Sequence, residues 1–325
     1  MEFSCAFAPE MDTPRHIAQA ERLGYARAWC YDSPALYADA WMALALAAER
    51  TSRIGLGPGV LVPSLRHVMT NAAATATLCG LAPGRVAVAV GAGFTGRLAL
   101  GKRPLSWKTV TAYVSALRSL LRGDEVEWEG AVLKMLHLPG FAPPRPVQTP
   151  ILVAVGGPKG LAAAEAVADG VILTGGLGFF ERTRLPWVVQ TVSGTVLDEG
   201  EPPDSERAMA AAGNAAALAY HVAYEAGSAG RLPRGADYAR AVDSVPAGRR
   251  HLAVHEGHLV AMNAIDRQVV DGDFLARAGI AAPAEVWKKR LAEMEARGVT
   301  EVCYHPSGPD IGRELRAFAD AAGLA

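Results

Sequence analysis

Short runs rich in β-branched and apolar residues alternate with longer amphipathic segments along most of the chain. The runs fall at residues 2–8, 26–31, 54–62, 85–90, 151–155, 171–174 and 301–305. Between them, helix-forming segments lie near residues 13–23, 39–50, 66–79, 161–168 and 311–322. Thr13-Pro14 supplies an N-cap and N1 pair to the first helix, and Gly24 a stop. Apolar strands alternating with helices predict parallel βαβ units with both sheet faces covered. Seven strands are readable. An eighth, expected near residues 206–209, closes an α/β fold of the (β/α)8 TIM-barrel type. The alanine-rich run 208–219 behind it reads better as helix than strand.

Two segments depart from this repeat. Residues 123–149 carry VEWEGAVLKM around Gly130 and then a series of prolines, which predicts a hairpin and an extended connector. Residues 200–299 hold an alanine-rich helical part, a loop around 227–235 and a helical stretch from about 248 to 268. Long barrel insertions form lids or specificity loops, and plain helix packing is the other reading. The expected organisation is one domain over residues 1–325, with 123–149 and 200–299 as insertions or lid segments.

Composition narrows the function classes. Half of the 325 residues are apolar and a fifth charged, which suits a soluble globular protein with a large core. A net charge of −1 gives no field that favours nucleic acid or an anionic membrane. The apolar run 41–48 stops at Glu49-Arg50, too short to span a bilayer. Cys5, Cys30, Cys79 and Cys303 form no CxxC pair, which argues against a metal knuckle and fits thiols in a reducing compartment. No basic region precedes an apolar core near the N-terminus. A cytoplasmic enzyme acting on a small molecule is the expectation.

Residues 150–176 carry the sharpest chemical signal. One strand breaks at Gly156-Gly157-Pro158-Lys159-Gly160, a helix follows, and the next strand ends at Thr174-Gly175-Gly176. Glycines let backbone N–H groups approach an anion, a helix start adds a positive dipole end, and Lys159 adds a full charge. This predicts a phosphate-bearing ligand; the plain alternative is tight βα turns. His251, His255 and His258 recur at i, i+4 and i+7, on one side of a helix. Three imidazoles on a stripe suit zinc, but the pattern is not HExxH and Gly257 interrupts it, so no metal is assigned. His305, ending the last strand, faces the carboxyl end of a barrel. It is a candidate general acid, or else a buried, hydrogen-bonded histidine.

Several segments in order carry a family resemblance: AERLGYARAW before Tyr31-Asp32, TSRIGLGPGVLVPSLRH, GRVAVAVGAGF, the 150–176 unit, and RGVTEVCYHPSGPD. The chain resembles the bacterial luciferase-like monooxygenase superfamily, and within it the branch using the deazaflavin coenzyme F420. The resemblance covers most of the chain apart from roughly residues 178–250. It implies a barrel that holds a flat tricyclic ring at the carboxyl ends of its strands. It places a non-proline cis peptide at Gly59–Val60 behind the ring, with Val60 and Leu61 as an apolar wall. It implies close ring approach at Gly91 and Gly93, and puts the coenzyme phosphate at 156–160 and 174–176. Asp32 and Tyr31 fall at the ring edge, where Asp32 either handles a proton or caps a turn. Arg66 and His67 either contact polar parts of coenzyme or substrate or form a solvated helix start. The implied chemistry is hydride transfer to or from a small organic substrate, with Asp32 and His305 as catalytic candidates. The close alternative is a monooxygenase using FMN. A non-catalytic flavin-binding protein and a metal-dependent barrel hydrolase are the alternatives of other classes. A homodimer is implied by the resemblance alone.

Overall fold

The computed structural model describes residues 1–324. Eight parallel strands make the central sheet: β1 (Glu2–Phe7), β2 (Arg27–Cys30), β3 (Gly55–Pro58), β4 (Val88–Gly91), β5 (Ile151–Val155), β6 (Gly170–Leu173), β7 (Trp187–Ser193) and β8 (Glu301–His305). Hydrogen bonds run from β3 through β2, β1, β8, β7, β6 and β5 to β4. The two ends then meet. Leu56 N donates to the Arg85 carbonyl at 2.8 Å and Leu61 N to the Ala89 carbonyl at 2.8 Å, which closes the barrel.

The seventh strand corrects the expectation. Residues 206–209 begin a 20-residue helix, Glu206–Glu225, capped by Ser205. The barrel strand lies upstream at Trp187–Ser193, in WVVQTVS. Val188, Val189, Thr191 and Val192 are β-branched and suit a pleated strand, whereas alanines at 210–212 and 215–217 favour helix.

The helices around the barrel are α1 (Thr13–Arg22), α2 (Ala40–Arg50), α3 (Val68–Leu81), α4 (Phe94–Leu98), α5 (Trp107–Arg122), α6 (Pro158–Val167), α7 (Glu206–Glu225), α8 (Gly235–Asp243), α9 (Arg250–His255), α10 (Gly272–Ala278), α11 (Ala284–Ala296) and α12 (Ile311–Ala322). Helix α5 shows how local sequence sets them. Ser106 accepts from Thr109 N at the start, Val110, Tyr113, Val114, Leu117, Leu120 and Leu121 bury one stripe, and Gly123 ends the helix at φ +94°. At the first helix the cap is Asp12, one residue before the expected Thr13. The hairpin around Gly130 forms from Val126–Trp128 and Ala131–Leu133. The expected helical stretch 248–268 is mostly broken: only Arg250–His255 is α-helical, and Gly257 turns with φ +69°.

Strand alternation stacks the barrel interior in layers. Inward from β2 point Arg27, Trp29 and Tyr31; inward from β8 point Glu301, Cys303 and His305. At the amino end, Glu301 accepts from Trp29 Nε1 at 3.3 Å and Trp187 Nε1 at 2.9 Å, and the Arg27 guanidinium lies 4.6 Å from the Trp187 ring centre. This charged and aromatic plug closes the bottom. The middle layer is small: Ala6, Ala87, Ala89, Ala154 and Cys303 surround Trp29. Strand β3 makes the room. A Cβ at Gly57 would stand 1.9 Å from the Ala87 carbonyl oxygen, and one at Gly59 would stand 3.1 Å from Trp29. Only the carboxyl end is left for chemistry.

Candidate active site

The top layer pairs two side chains across β1. Tyr31 Oη and His305 Nδ1 are 2.8 Å apart, with ring centres 5.5 Å apart. Burial pushes the His305 imidazole down to about 4, so the ring is neutral near pH 7. Burial also pushes the Tyr31 phenol well up, so its proton stays on. Two neutral groups thus share one hydrogen bond between the Tyr31 hydroxyl and His305 Nδ1. The Cys303 thiol below them is raised by burial and is no nucleophile. Tyr37 extends the layer, its ring centre 5.7 Å from that of Tyr31.

Asp32 follows directly, at the end of β2, and is 2% exposed. Both its oxygens are occupied: Arg66 Nε donates at 2.9 Å and Arg66 Nη2 at 2.8 Å. The same Nη2 donates to Asp39 at 2.8 Å. The bond from Asp32 raises the Arg66 pKa, outweighing the burial that opposes it. Asp32 therefore sits in a fork-shaped ion pair, a geometry that positions the 32–39 turn. His67 is separate: its Nδ1 accepts from Met69 N at 3.2 Å and caps α3. The Arg66 carbonyl accepts from Tyr113, whose oxygen accepts from Asn71. Sequence reading weighed Arg66 as a ligand contact and missed this network, because the partners are 34 and 47 residues away.

On the β3–β4 side the Gly59–Val60 peptide is cis, at the position the resemblance placed it. Leu61 is fully buried and Val60 partly so. Val60 lies on Gly91, where a Cβ would stand 2.8 Å from Val60 Cγ2. Gly93 has φ +82° and caps α4, and a Cβ there would stand 2.5 Å from Val62. These glycines thus make room for Val60, Val62 and Arg97, and the partly buried Val60 is left as the apolar surface at this edge.

The two glycine corners are neighbours. A Cβ at Gly175 would stand 3.4 Å from the Gly156 carbonyl oxygen, and one at Gly156 would stand 3.5 Å from Thr174 Oγ1. Thr174 Oγ1 donates to the Val155 carbonyl at 3.1 Å and ties the corners together. Nothing lies within 4 Å of a Cβ at Gly157 or Gly176. Helix α6 starts at Pro158, with Gly157 as an extended N-cap that provides no side-chain cap. Pro158 has no N–H and Gly160 N donates to the Gly157 carbonyl at 3.1 Å, so the Lys159 amide is the one left open in the first turn, beside those of Gly156 and Gly157. Lys159 is exposed and makes no salt bridge among the described residues. Open amides, a helix start and a free cation fit the phosphate of a coenzyme side chain. Arg297 was not foreseen: it donates to the Leu177 and Phe180 carbonyls and fixes the loop behind Gly176.

The histidine stripe comes apart. His251 rests against Gly101, while His255 and His258 join His221 of α7 in a buried cluster. Asn214 of α7 donates to Ser307 just past β8, and Tyr37 donates to the His258 carbonyl. Residues 206–258 are thereby fastened to the barrel rim.

Comparison with known proteins agrees with this architecture. A 5,10-methylenetetrahydromethanopterin reductase of Archaeoglobus fulgidus is 28% identical over 184 residues, 53% of each chain. An F420-dependent glucose-6-phosphate dehydrogenase of Beutenbergia cavernae is 33% identical over 155 residues, 44% of this chain and 45% of its own. The alignments thus span about half the length of these curated relatives. The coenzyme F420-dependent tetrahydromethanopterin reductase of Methanopyrus kandleri superposes with a TM-score of 0.67 at 19% identity, covering 98% of this chain and 97% of that one. No described helix is long and apolar enough to cross a membrane. The family described as luciferase-like monooxygenase matches residues 11–301, most of the barrel, and the chain belongs to that family.

Proposed function

We propose that this protein is an oxidoreductase that uses coenzyme F420 to move a hydride to or from a small organic substrate. The substrate class is one with an activated C=C, C=N or carbonyl group. The observation that carries the reading is the pair of touching glycine corners, Gly156 and Gly175, at the rim that also bears Tyr31 and His305. Relatives named for F420 support the coenzyme. When bound, the reduced deazaflavin supplies the hydride; the chain supplies placement and protons.

The division of labour follows from the side chains. The corners 156–160 and 174–176 hold the phosphate through the amides of Gly156, Gly157, Lys159, Gly175 and Gly176, with the Lys159 side chain adding charge. Gly59, Val60, Gly91 and Gly93 form the β3–β4 edge on which the ring lies: Val60 supplies the apolar contact, and the glycines admit Trp29, Val60 and Val62 beneath it. The Tyr31–His305 pair holds a proton within the top layer, and His305 is the residue that exchanges it with substrate. Asp32 acts through Arg66, holding the 32–39 turn that carries Tyr37 beside Tyr31. The hairpin and residues 200–299 are the specificity-setting insertions of a single domain. The protein is a cytoplasmic homodimer in this reading, and its free cysteines support the reducing compartment.

FMN is the second reading, favoured by the monooxygenases for which the family is described. Titration of the purified protein with F420 and separately with FMN distinguishes them. Micromolar binding of F420 alone is expected; binding of FMN alone reverses the choice, and binding of neither ends the redox reading. A Gly157→Asp variant sharpens the test. The backbone there is extended and a Cβ meets nothing within 4 Å, so folding is retained and the helix gains an N-cap. A carboxylate at the anion corner is expected to weaken F420 binding at least about tenfold, about 1.4 kcal/mol. Unchanged affinity would reduce the corners to turns.

A further inference from the structure

We propose that His221, His255 and His258 form a binding site for a divalent transition ion of the zinc class, which ties α7 to the end of α9 and the turn after it. Three separate pieces of backbone bring them together: α7, the end of α9 and the turn after it. All three are 1% exposed, and one nitrogen from each lies within 4.8 Å of the others. His221 Nδ1 and His258 Nδ1 are 2.7 Å apart, and His255 Nδ1 and His258 Nδ1 are 3.4 Å apart. His258 Nδ1 thus faces the Nδ1 atoms of both other rings.

The far sides of two rings meet oxygens at hydrogen-bond distance, and that of the third faces a carboxylate at longer range. His221 Nε2 is 3.0 Å from Asp266 Oδ1, His258 Nε2 is 3.1 Å from Thr95 Oγ1, and His255 Nε2 is 3.7 Å from Glu225 Oε1. An Nε2–H directed at an oxygen leaves the Nδ1 lone pair free, the usual arrangement behind a metal-bound histidine. Tetrahedral zinc with Zn–N of about 2.05 Å needs nitrogens about 3.3 Å apart. The 3.4 Å pair meets that spacing, and the 2.7 Å pair opens to it by small ring shifts. Asp266 and Glu225 together offset the two charges of the ion.

Hydrogen bonds alone account for the cluster less completely. With His221 Nε2–H on Asp266, one Nδ1–H from His258 can serve His221, and Thr95 can then donate to His258 Nε2. His255 is the remainder: the single Nδ1–H of His258 serves His221 at 2.7 Å, and His255 Nδ1, 3.4 Å from the same atom, is left with at most a share of it. An ion engages all three rings at once, and a water supplies the fourth ligand. The site needs no redox coenzyme, so it stands or falls apart from the proposed activity.

The test uses the full-length protein, stripped with a chelator and dialysed. Zn²⁺ or Co²⁺ is added, and bound metal is counted by mass spectrometry. One equivalent per chain is expected, with the visible spectrum of tetrahedral Co²⁺. Tm is expected to rise by about 4 °C at a hundredfold excess over Kd. His255→Gln and His258→Gln are expected to lose the bound equivalent, and His251→Ala to keep it. An Asp266→Asn variant is expected to bind about 10–100-fold more weakly. No uptake by the wild-type protein, or uptake unchanged in both glutamine variants, overturns the proposal. If the variants do not fold, X-ray absorption on the wild-type Co²⁺ protein decides: three imidazoles support the site, and any other ligand shell overturns it.

Discussion

His305 gives this protein an acid-sensitive element whose size follows from its place in the barrel. The imidazole begins from an ordinary value of 6.5 and is pushed down to about 4 by desolvation in the top layer. The folded chain thus takes up this proton later than the unfolded chain as pH falls. Stability is lost between about pH 6.5 and pH 4, and the loss levels off below that. At pH 4 a native value near 4 and an unfolded value of 6.5 give a penalty of about 3 kcal/mol. For 325 residues the unfolding entropy at Tm is about 0.7 kcal/mol per degree, so the penalty amounts to about 4 °C. The perturbation is His305→Gln, which cannot titrate and keeps an oxygen to accept from Tyr31. Scanning calorimetry from pH 7 to pH 4 on both proteins removes the contribution of every other group by difference. The wild-type Tm is expected to fall about 4 °C further than that of the variant. Parallel acid limbs would show that His305 is solvated, and would remove the neutral imidazole from the site's chemistry.

Other consequences are tested more simply. Tyr31→Phe deletes the hydroxyl bonded to His305 and is expected to lower kcat about a hundredfold with coenzyme affinity kept; equal turnover would take the pair out of catalysis. Asp32→Asn leaves Arg66 only Asp39 as a charged partner and is expected to cost about 3 kcal/mol, seen as a Tm about 4 °C lower; an unchanged Tm would show the fork carries no strength. Gly57→Ala drives a Cβ to 1.9 Å from the Ala87 carbonyl oxygen and is expected to destabilise by about 3 kcal/mol or more; wild-type denaturant resistance would show that β3 and β4 part easily.

Much of the fold is legible in local sequence. Apolar runs that end in glycine and flank amphipathic helices specify βαβ units, because backbone geometry and burial act over a few residues. The glycine corners at 156–157 and 175–176 were readable for the same reason, as were the order of segments and the cis position at Gly59–Val60 implied by the family resemblance. Strand alternation even places His305 and Tyr31 on the inner face, since each lies two positions past Cys303 or Trp29. The missed strand at Trp187–Ser193 ends at Gly194 as its neighbours end at glycines, but its helix begins only at Glu206. The short strand-to-helix spacing of the other units is broken there, and an eighth strand was sought instead at the head of that alanine-rich helix.

Pairings over long sequence distances were decided only in three dimensions. Nothing local distinguishes an Asp32 that handles protons from one gripped by Arg66, 34 residues on. The stripe His251, His255, His258 is regular in sequence, yet Gly257 breaks the helix and His221 takes the place of His251. Local periodicity fixes which way a side chain faces along its own element. Which partner it meets there depends on how the barrel closes and how residues 206–258 settle on its rim, and that is set by the packing of the whole chain.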